Sequence, residues 1–269
     1  MAVKNRSPTF LKILTVPIDF MANTQDTHET AVILAAGFGS RLAGTVETTS
    51  IKPLTPVAGK PLIYRTIDGL KYSGHTRIII VLGHKNDEIE QAVNSKYGGE
   101  LEIIFTYNSQ YHLKNGISVL AAAPYIEGIF TLTMADHILE QSLLNMANNH
   151  VPVKNGATLL VDYKVDEVFD LDDATKVKSV DDKVRHIGKQ IDDYNCIDTG
   201  LFVCTTELLT VLEEFYHANG DVSLSDGIEQ LAELGRMETL DIEDAFWQDV
   251  DTSEMLKNAE RVLKQCHSK

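Results

Sequence analysis

The sequence predicts an α/β protein with a doubly wound, mostly parallel sheet. Three observations support this prediction. Uninterrupted apolar runs of strand length, typical of strands buried on both faces, alternate with helix-length amphipathic segments. Turn-forming or polar residues follow two of these runs directly. The chain has 269 residues, which is enough to bury the core of one large domain.

The first half of the chain reads as successive βαβ units. The run from Thr30 to Ala35 predicts the first strand, and Pro61 suits the first turn of a helix that ends near Tyr72. Further strands are predicted at 77–82, 101–105 and 129–134, and helices at 86–97, where Asn86 and Asp87 are the expected cap, and at 117–123. Because ligands of such folds bind beyond the carboxyl ends of the strands, we expect the site at that edge.

The second half is less regular. Residues 166–182 carry seven acids and two lysines, which predicts an exposed hairpin, a small β-rich excursion of the C-terminal half. Strands are predicted at 157–161, 196–203 and 237–240, and helices at about 205–217, 224–234 and 253–264. Since no repeat or linker interrupts the chain, we expect one domain over residues 29–269 after an N-terminal extension of residues 1–28.

Composition excludes several classes of protein. A net charge of −15 argues against a nucleic-acid or anionic-membrane surface, because both need a basic patch. No run approaches the roughly 20 apolar residues that cross a bilayer, so we expect no membrane insertion. The three cysteines are widely spaced and form no C-x-x-C pair, which fits a reducing cytoplasm better than disulfides or a cysteine zinc site.

A glycine-containing loop follows the first predicted strand. Glycines at this position let backbone N–H groups approach an anion. The loop is not a dinucleotide fingerprint, since Leu42 replaces the third glycine and Glu47 is the only acid between residues 32 and 67. It also lacks the G-K-[ST] of a P-loop. Taken alone, an anion-binding turn and an ordinary turn with an exposed Arg41 are equally compatible with it.

Positive charge gathers after this loop. Between residues 37 and 60 stand Arg41, Lys52 and Lys60 against Glu47, a local balance of +2. Pro53 holds Lys52 in an extended conformation. Such an island at the strand ends suits a polyphosphate, although most lysines are simply solvated surface residues.

Three acids are candidate metal ligands. Asp136 closes the fourth predicted strand, where a carboxylate suits Mg²⁺ but equally suits a helix N-cap. Asp249 and Asp251 stand on one side of an extended segment among apolar residues, so burial is expected. A buried carboxylate pair needs a positive partner, which a metal would supply. His137 is assigned no role, because a packed histidine is the commoner case.

These motifs together resemble the sugar-phosphate nucleotidylyltransferase superfamily. The resemblance rests on L-A-A-G-F-G-S-R at 34–41, K-P-L at 52–54, a strand ending in Asp136, and W-Q-D-V-D-T at 247–252. It covers nearly everything from residue 30 onward. More narrowly, the CTP:inositol-1-phosphate cytidylyltransferases are matched by further blocks, at 134–137, 172–177, 187–189, 197–201, 223–227 and 244–247.

The resemblance implies a Rossmann-like fold of the nucleotide-diphospho-sugar transferase type. It implies an Mg²⁺-dependent enzyme that makes a CDP-alcohol, with CDP-inositol as the leading product, and pyrophosphate from CTP and a phosphorylated polyol. Arg41 would bind the leaving pyrophosphate, Lys52 the α-phosphate region and Lys189 the acceptor phosphate. Asp136 and one of Asp249 and Asp251 would hold the metal. The implied nucleotide-binding positions are Leu34, Ala35, Ala36, Gly37, Gly39, Ser40, Arg41, Lys52, Asn115, Gly116, Ser118 and Ala135.

Several alternatives remain open at this point. Many members of that branch are fused to a membrane-embedded alcohol phosphotransferase, which these residues do not contain. The acceptor could therefore be a phosphonate, a phosphocholine-like compound or another sugar 1-phosphate. A non-catalytic nucleotide-binding homologue is disfavoured, because every expected phosphate cation and metal acid is present. We expect residues 166–195 to recognise the acceptor, and the sequence leaves the oligomeric state open.

Overall fold

The structure is a computed structural model that describes residues 28–37 and 51–266. Its helices are α1 Leu62–Ser73, α2 Asn86–Tyr97, α3 Gly116–Ala122, α4 Gln141–Asn149, α5 Glu207–Asn219, α6 Leu224–Glu233 and α7 Ser253–Cys266. Its strands are β1 Thr30–Ala35, β2 Pro56–Val57, β3 Lys60–Pro61, β4 Arg77–Leu82, β5 Glu102–Tyr107, β6 Phe130–Met134, β7 His137–Leu139, β8 Ala157–Asp162, β9 Lys176–Val180, β10 Lys183–Gly188, β11 Cys196–Cys204, β12 Met237–Asp241 and β13 Trp247–Asp249. Short 3₁₀ turns lie at Lys52–Leu54, Ala123–Tyr125 and Val165–Glu167.

One sheet organises these elements. Across the described ranges its strand order is β5-β4-β1-β6-β11-β8-β12-β10-β9. The pairs β5–β4, β4–β1, β1–β6 and β8–β12 are parallel, while β11 is antiparallel to both β6 and β8. Only β10 and β11 therefore run against the common direction within this sheet. The predicted doubly wound α/β fold is confirmed. The polar stretch 166–182 contains β9 and the turn of a hairpin, whose second strand, β10, follows the stretch.

The core lies on both faces of the sheet. Alternate residues of a strand point to opposite faces, so Val32 and Leu34 of β1 belong to one apolar cluster and Ala31 and Ile33 to the other. Residues of α3, α5 and α6 cover the first face, and residues of α1, α2 and α4 cover the second. This double covering explains the uninterrupted apolar runs in the sequence.

Local details differ from the sequence-based expectations. Helix α2 begins at Asn86 as expected, but its cap position is Lys85, which has a φ of 58°, and no side chain caps the helix. Helix α4 was not predicted, because its segment is short and rich in Asn and Gln rather than clearly periodic. The three-residue strands β7 and β13 were also missed, since so short a strand shows no alternation of its own.

The β7–β13 ladder joins the end of the chain to the end of β6. Asp249 pairs with His137 in antiparallel register, and the Val250 N–H donates to the Asp136 carbonyl at 3.0 Å. Behind the ladder, the Gln248 side chain donates to the carbonyl of Met255 in α7. Two acids that lie more than 100 residues after Asp136 are therefore placed beside it.

Among the described residues, no helix combines the length and apolarity needed to cross a membrane.

A buried histidine lies between α1 and β4, away from the carboxyl ends of the strands. The ring of His75 lies 3.2 Å from the Leu70 carbonyl through Nδ1 and 2.9 Å from Thr131 Oγ1 through Nε2. Burial lowers the pKa of His75 from 6.5 to about 4, despite the hydrogen bond to Leu70. The folded state therefore favours the neutral ring, whereas the unfolded chain protonates it near pH 6.5.

This difference predicts a loss of stability in acid. The contribution of neutral His75 is fully present above about pH 6.5, falls by about 3 kcal/mol as the pH drops to about 4, and is then constant. Urea unfolding of His75→Gln between pH 4 and 7 should show a correspondingly shallower pH dependence than the wild type. The same substitution at exposed His186 should leave the wild-type dependence. Equal slopes for His75→Gln and wild type would contradict the assignment.

Candidate active site

The site forms where β1 and β6 end side by side. Leu34 pairs with Met134 in parallel register, and the Ala135 N–H donates to the Leu34 carbonyl at 3.0 Å. Gly37 and Asp136, which follow these strands, therefore lie at the same edge of the sheet. The sequence-based expectation that the glycine loop and Asp136 are neighbours agrees with this geometry.

Lys52 joins two of the acids. Its side chain is 8% exposed, and its Nζ donates to Asp136 Oδ2 at 2.5 Å and to Asp251 Oδ1. Burial alone would lower the pKa of Lys52, but the charges of Asp136 and Asp251 outweigh it and raise the pKa above 10.5. Lys52 is therefore a charged ammonium group shared by two carboxylates.

Asp136 has a donor on each carboxylate oxygen. Oδ2 accepts from Lys52, and Oδ1 lies 2.7 Å from His137 Nδ1. Burial would raise the pKa of Asp136, but the charge of Lys52 and the hydrogen bond from His137 hold it well below its usual range. The Asp136 carboxylate is ionised at neutral pH.

Asp249 and Asp251 are close to a third acid, Asp173. Carboxylate oxygens of the three residues lie within 4.8 Å of one another. Burial raises the pKa of Asp249, and the charges of Asp251 and Asp136 add to this effect, whereas that of His137 opposes it. An additional cation here would relieve both the burial and the repulsion.

Lys189 directly follows β10 and contacts this acid cluster through Asp173. Its Nζ donates to Asp173 Oδ1 at 2.8 Å. The side chain is 48% exposed, so this pair is far more accessible to solvent than the Lys52 cluster. Asp173 thus links the lysine expected at the acceptor phosphate to the acids expected at the metal.

A cavity of about 360 Å³ is lined by Asp136, Asp173, Asp249, Asp251 and Lys189. Lys52, a predicted phosphate-binding residue, is buried and is not among the lining residues. The sequence-predicted residues that line it are Leu34, Ala36, Gly37, Asn115, Ser118, Asp136, Lys189, Asp249 and Asp251. Two parts of its lining differ in character. The part from β1, α3 and α6, called the α3 end, includes Leu34, Ser118 and Leu224, and the part from residues 168–198, called the Lys189 end, is rich in carboxylates.

Other predicted residues do not line the cavity. Ala35 and Ala135 are buried in the apolar cluster beneath α1 and α4. Gly116 lies against α6, where a Cβ would come within 2.6 Å of the Val222 carbonyl oxygen. Close packing of α3 thus accounts for a glycine at this position.

Polar side chains build the cavity wall at α3, where Asn108 and Ser118 are buried and Asn115 is exposed. Asn115 Oδ1 accepts the Leu224 N–H at 2.9 Å, and Asn108 Nδ2 donates to Ser118 Oγ at 3.0 Å. These contacts hold the start of α3 and fix the orientation of both predicted side chains.

Three predicted residues, Gly39, Ser40 and Arg41, lie outside the described residues. Residues 1–27 of the predicted extension also lie outside them. Within the part that the structure describes, the predicted positive island is not a free cationic surface, because Lys52 is paired with two acids and Lys60 with Asp68.

Sequence reasoning missed several residues of the cavity. Asp173 and Asp198 line the cavity and lie inside motif blocks, yet the motifs predict no role for them, and the sequence predicts only a packed histidine at His137. A signal for Asp198 was its position after an apolar strand residue and before Thr199 and Gly200, a polar break in a buried strand. The pKa of Asp198 is raised to about 6 by burial, against the hydrogen bond from the Gly200 N–H.

A family model described as nucleotidyl transferase matches residues 30–265. The chain belongs to the nucleotidyl transferase family. Its relatives include the "Bifunctional IPC transferase and DIPP synthase" proteins of Thermococcus kodakarensis, 35% identical over 236 residues, and Aquifex aeolicus, 34% identical over 235 residues. Each alignment covers 87% of this chain and 50% or 52% of the relative, so the chain spans about half the length of these relatives.

A solved structure shares the fold over nearly its whole length. The inositol-1-phosphate CTP transferase from T. maritima superimposes with a TM-score of 0.76 and 26% identity, covering 88% of this chain and 98% of the other. The family resemblance inferred from the motifs is confirmed, and the match extends through the C-terminal β-rich part of this nucleotidyl transferase.

The Lys52 cluster should make a measurable contribution to stability. Lys52→Met keeps a side chain of similar length but leaves the Asp136 and Asp251 carboxylates without their shared cation. We expect a loss of about 3 kcal/mol in the free energy of unfolding, measured with urea at pH 7. Lys60→Met, which removes a half-exposed pair with Asp68, should cost less than about 1 kcal/mol. Equal losses in the two variants would show that the cluster is not a stabilising unit.

Proposed function

We propose that this nucleotidyl transferase is an Mg²⁺-dependent cytidylyltransferase that converts CTP and inositol 1-phosphate to CDP-inositol and pyrophosphate. One observation carries the proposal: a single cavity brings together the α3 wall, the acids at the end of β6 and β13, and Lys189. A solved inositol-1-phosphate CTP transferase shares this fold along almost its entire chain. The motif blocks shared with that branch support the same acceptor.

The reaction needs no protein base. The phosphate monoester of the acceptor has a second pKa near ~6, so its dianion is the nucleophile at neutral pH. One of its oxygens forms a bond to the α-phosphorus of CTP, and the bond between that phosphorus and the bridging oxygen to the β-phosphate breaks. The electron pair of the broken bond stays on that bridging oxygen, and pyrophosphate leaves. The work left to the protein is to hold two polyanions together.

The residues present fit a divalent metal. Asp249 and Asp251 offer hard carboxylate oxygens close to those of Asp173, and burial makes their charge costly without a cation. Asp136 stands on the other side of Lys52. We propose that Asp136 and one or both of Asp249 and Asp251 hold Mg²⁺, which when bound would neutralise charge at the reacting phosphates.

The two ends of the cavity suit two substrates. Leu34, Ala36 and Gly37 at the end of β1, with Asn115 and Ser118 at α3, form a narrow apolar and amide-lined wall for a pyrimidine nucleoside. Arg41 and Lys52 remain the proposed triphosphate cations, and Gly39 and Ser40 the proposed loop amides, as the motif predicts.

The opposite end suits a phosphorylated polyol. Lys189 supplies positive charge for the phosphate, while Asp170, Thr175 and Asp198 offer oxygen acceptors to hydroxyl groups. Residues 166–195 contribute to this end, which supports their proposed part in acceptor recognition. A phosphonate, a phosphocholine-like compound or another sugar 1-phosphate stays an alternative acceptor, and the cytoplasmic location stays a prediction from the cysteine pattern.

Substrate choice can be measured through pyrophosphate release. With inositol 1-phosphate and magnesium, CTP should support turnover at least ten times faster than UTP, dTTP, ATP or GTP, and mass spectrometry should detect CDP-inositol. EDTA should abolish turnover and excess Mg²⁺ should restore it. If none of the triphosphates supports pyrophosphate release, the protein is a non-catalytic homologue. If another acceptor of a panel gives the CDP-linked product instead, the acceptor is reassigned.

Lys189 should act on the acceptor rather than on CTP. Lys189→Met removes the cation beside the acceptor end of the cavity, so we expect the KM for inositol 1-phosphate to rise at least tenfold while the KM for CTP changes less than twofold. Lys183→Met, at a comparably exposed lysine at the other end of β10, is the matched control and should change neither constant. A selective rise in the KM for CTP would move Lys189 to the nucleotide.

A further inference from the structure

An irregularity in β11 lies beside the site. The register of β11 against β8 shifts between Asp198 and Phe202, and Gly200 within this stretch has a φ of +73°. The turn is held by Asp198 Oδ1, which accepts the Gly200 N–H at 2.7 Å, and by Thr199 Oγ1, which donates to the Leu160 carbonyl at 2.8 Å. Irregularities of this kind next to active sites commonly re-aim side chains.

Gly200 leaves room for the ring of His137. A Cβ at this position would lie 2.6 Å from Nε2 and 2.7 Å from Cδ2 of that ring, closer than side-chain contacts allow. Trp247 stacks on the ring, with 6.3 Å between centroids and 16° between planes. The His137 ring therefore lies against the backbone at Gly200 and stacks on the indole of Trp247.

These two contacts orient the ring so that Nδ1 of His137 faces Asp136. That atom lies 2.7 Å from Asp136 Oδ1, so a proton on Nδ1 is donated to the carboxylate. The second oxygen, Oδ2, accepts from Lys52. With one donor on each oxygen, the Asp136 carboxylate cannot rotate about its Cβ–Cγ bond without losing both hydrogen bonds.

We propose that His137, seated on Gly200, is the positioning residue for Asp136 in the nucleotidyl transfer. The proposal rests on the function proposed above, in which Asp136 serves the reacting phosphates. His137 acts through Asp136 and touches no reacting atom. The D-T-G block at 198–200 supplies the turn that makes space for the ring.

The first test separates the hydrogen bond from the packing. His137→Phe keeps a ring against Trp247 but removes Nδ1, and we expect kcat to fall 10- to 100-fold with the KM for CTP within twofold. His137→Asn should recover kcat to within about fivefold of wild type, because its amide nitrogen stands as many bonds from Cα as Nδ1 does. His137→Gln, whose amide is one bond further out, should behave like His137→Phe. A kcat near wild type in His137→Phe, or no recovery in His137→Asn, would overturn the proposal.

The second test needs no turnover. Gly200→Ala and Gly220→Ala both force alanine into a positive φ, but Gly220 has open space around it at the end of α5 and serves as the matched control. In ¹⁵N-histidine-labelled protein, the ring signals absent from His137→Phe identify His137. Gly200→Ala should shift them and lower kcat, whereas Gly220→Ala should leave both unchanged.

Turnover and the His137 NMR signals together distinguish failure of the proposed function from failure of the positioning role. Wild-type protein without CTP-dependent transfer would refute the proposed function, while the His137 spectrum would still report whether Gly200 seats the ring. An unshifted His137 spectrum in Gly200→Ala would overturn the positioning role even if the enzyme is active.

Discussion

The sharing of one buried ammonium group by two carboxylates is the constraint around which the site is built. Asp136 comes from the end of β6 and Asp251 from beyond β13, and Lys52 between them offsets the cost of keeping both half-buried carboxylates charged. The β7–β13 ladder and the packing of Gln248 on α7 bring the late acid to this position. The C-terminal segment is therefore part of the site through electrostatics as much as through packing.

The sheet topology explains why the site lies at this edge. β1 has β4 on one side and β6 on the other, so the crossovers on its two sides diverge and leave a crevice beyond its carboxyl end. The antiparallel strand β11 then extends the sheet, and its irregularity at Gly200 reaches the same crevice. The parallel half thus supplies the proposed nucleotide end of the cavity, and the mixed half supplies the proposed acceptor end.

The charge of the cavity gives a physical reason for a metal. In the described part of the chain, both lysines of the site are already paired, Lys52 with Asp136 and Asp251, and Lys189 with Asp173. Carboxylates outnumber ammonium groups there, so the proposed binding of two phosphorylated substrates would require additional positive charge. The excess of acidic residues elsewhere on the chain has little influence on the cavity, because physiological salt screens charges beyond about 8–10 Å.

The apolar runs by themselves predicted β1, β4 and β6. Each of these strands is buried on both faces, so its apolar run identifies it even when the neighbouring strands are unknown. They also placed Gly37 and Asp136 at one edge, since parallel strands share the direction in which they end. Only the tertiary structure decided the pairing of Lys189 with Asp173 and the seat of His137 on Gly200. The placement of His137 depends on a register shift in β11 and on the three-residue strands β7 and β13, which leave no periodic pattern in the chain. The Lys189–Asp173 pair joins two residues that flank the β9–β10 hairpin, and no spacing rule predicts such a contact.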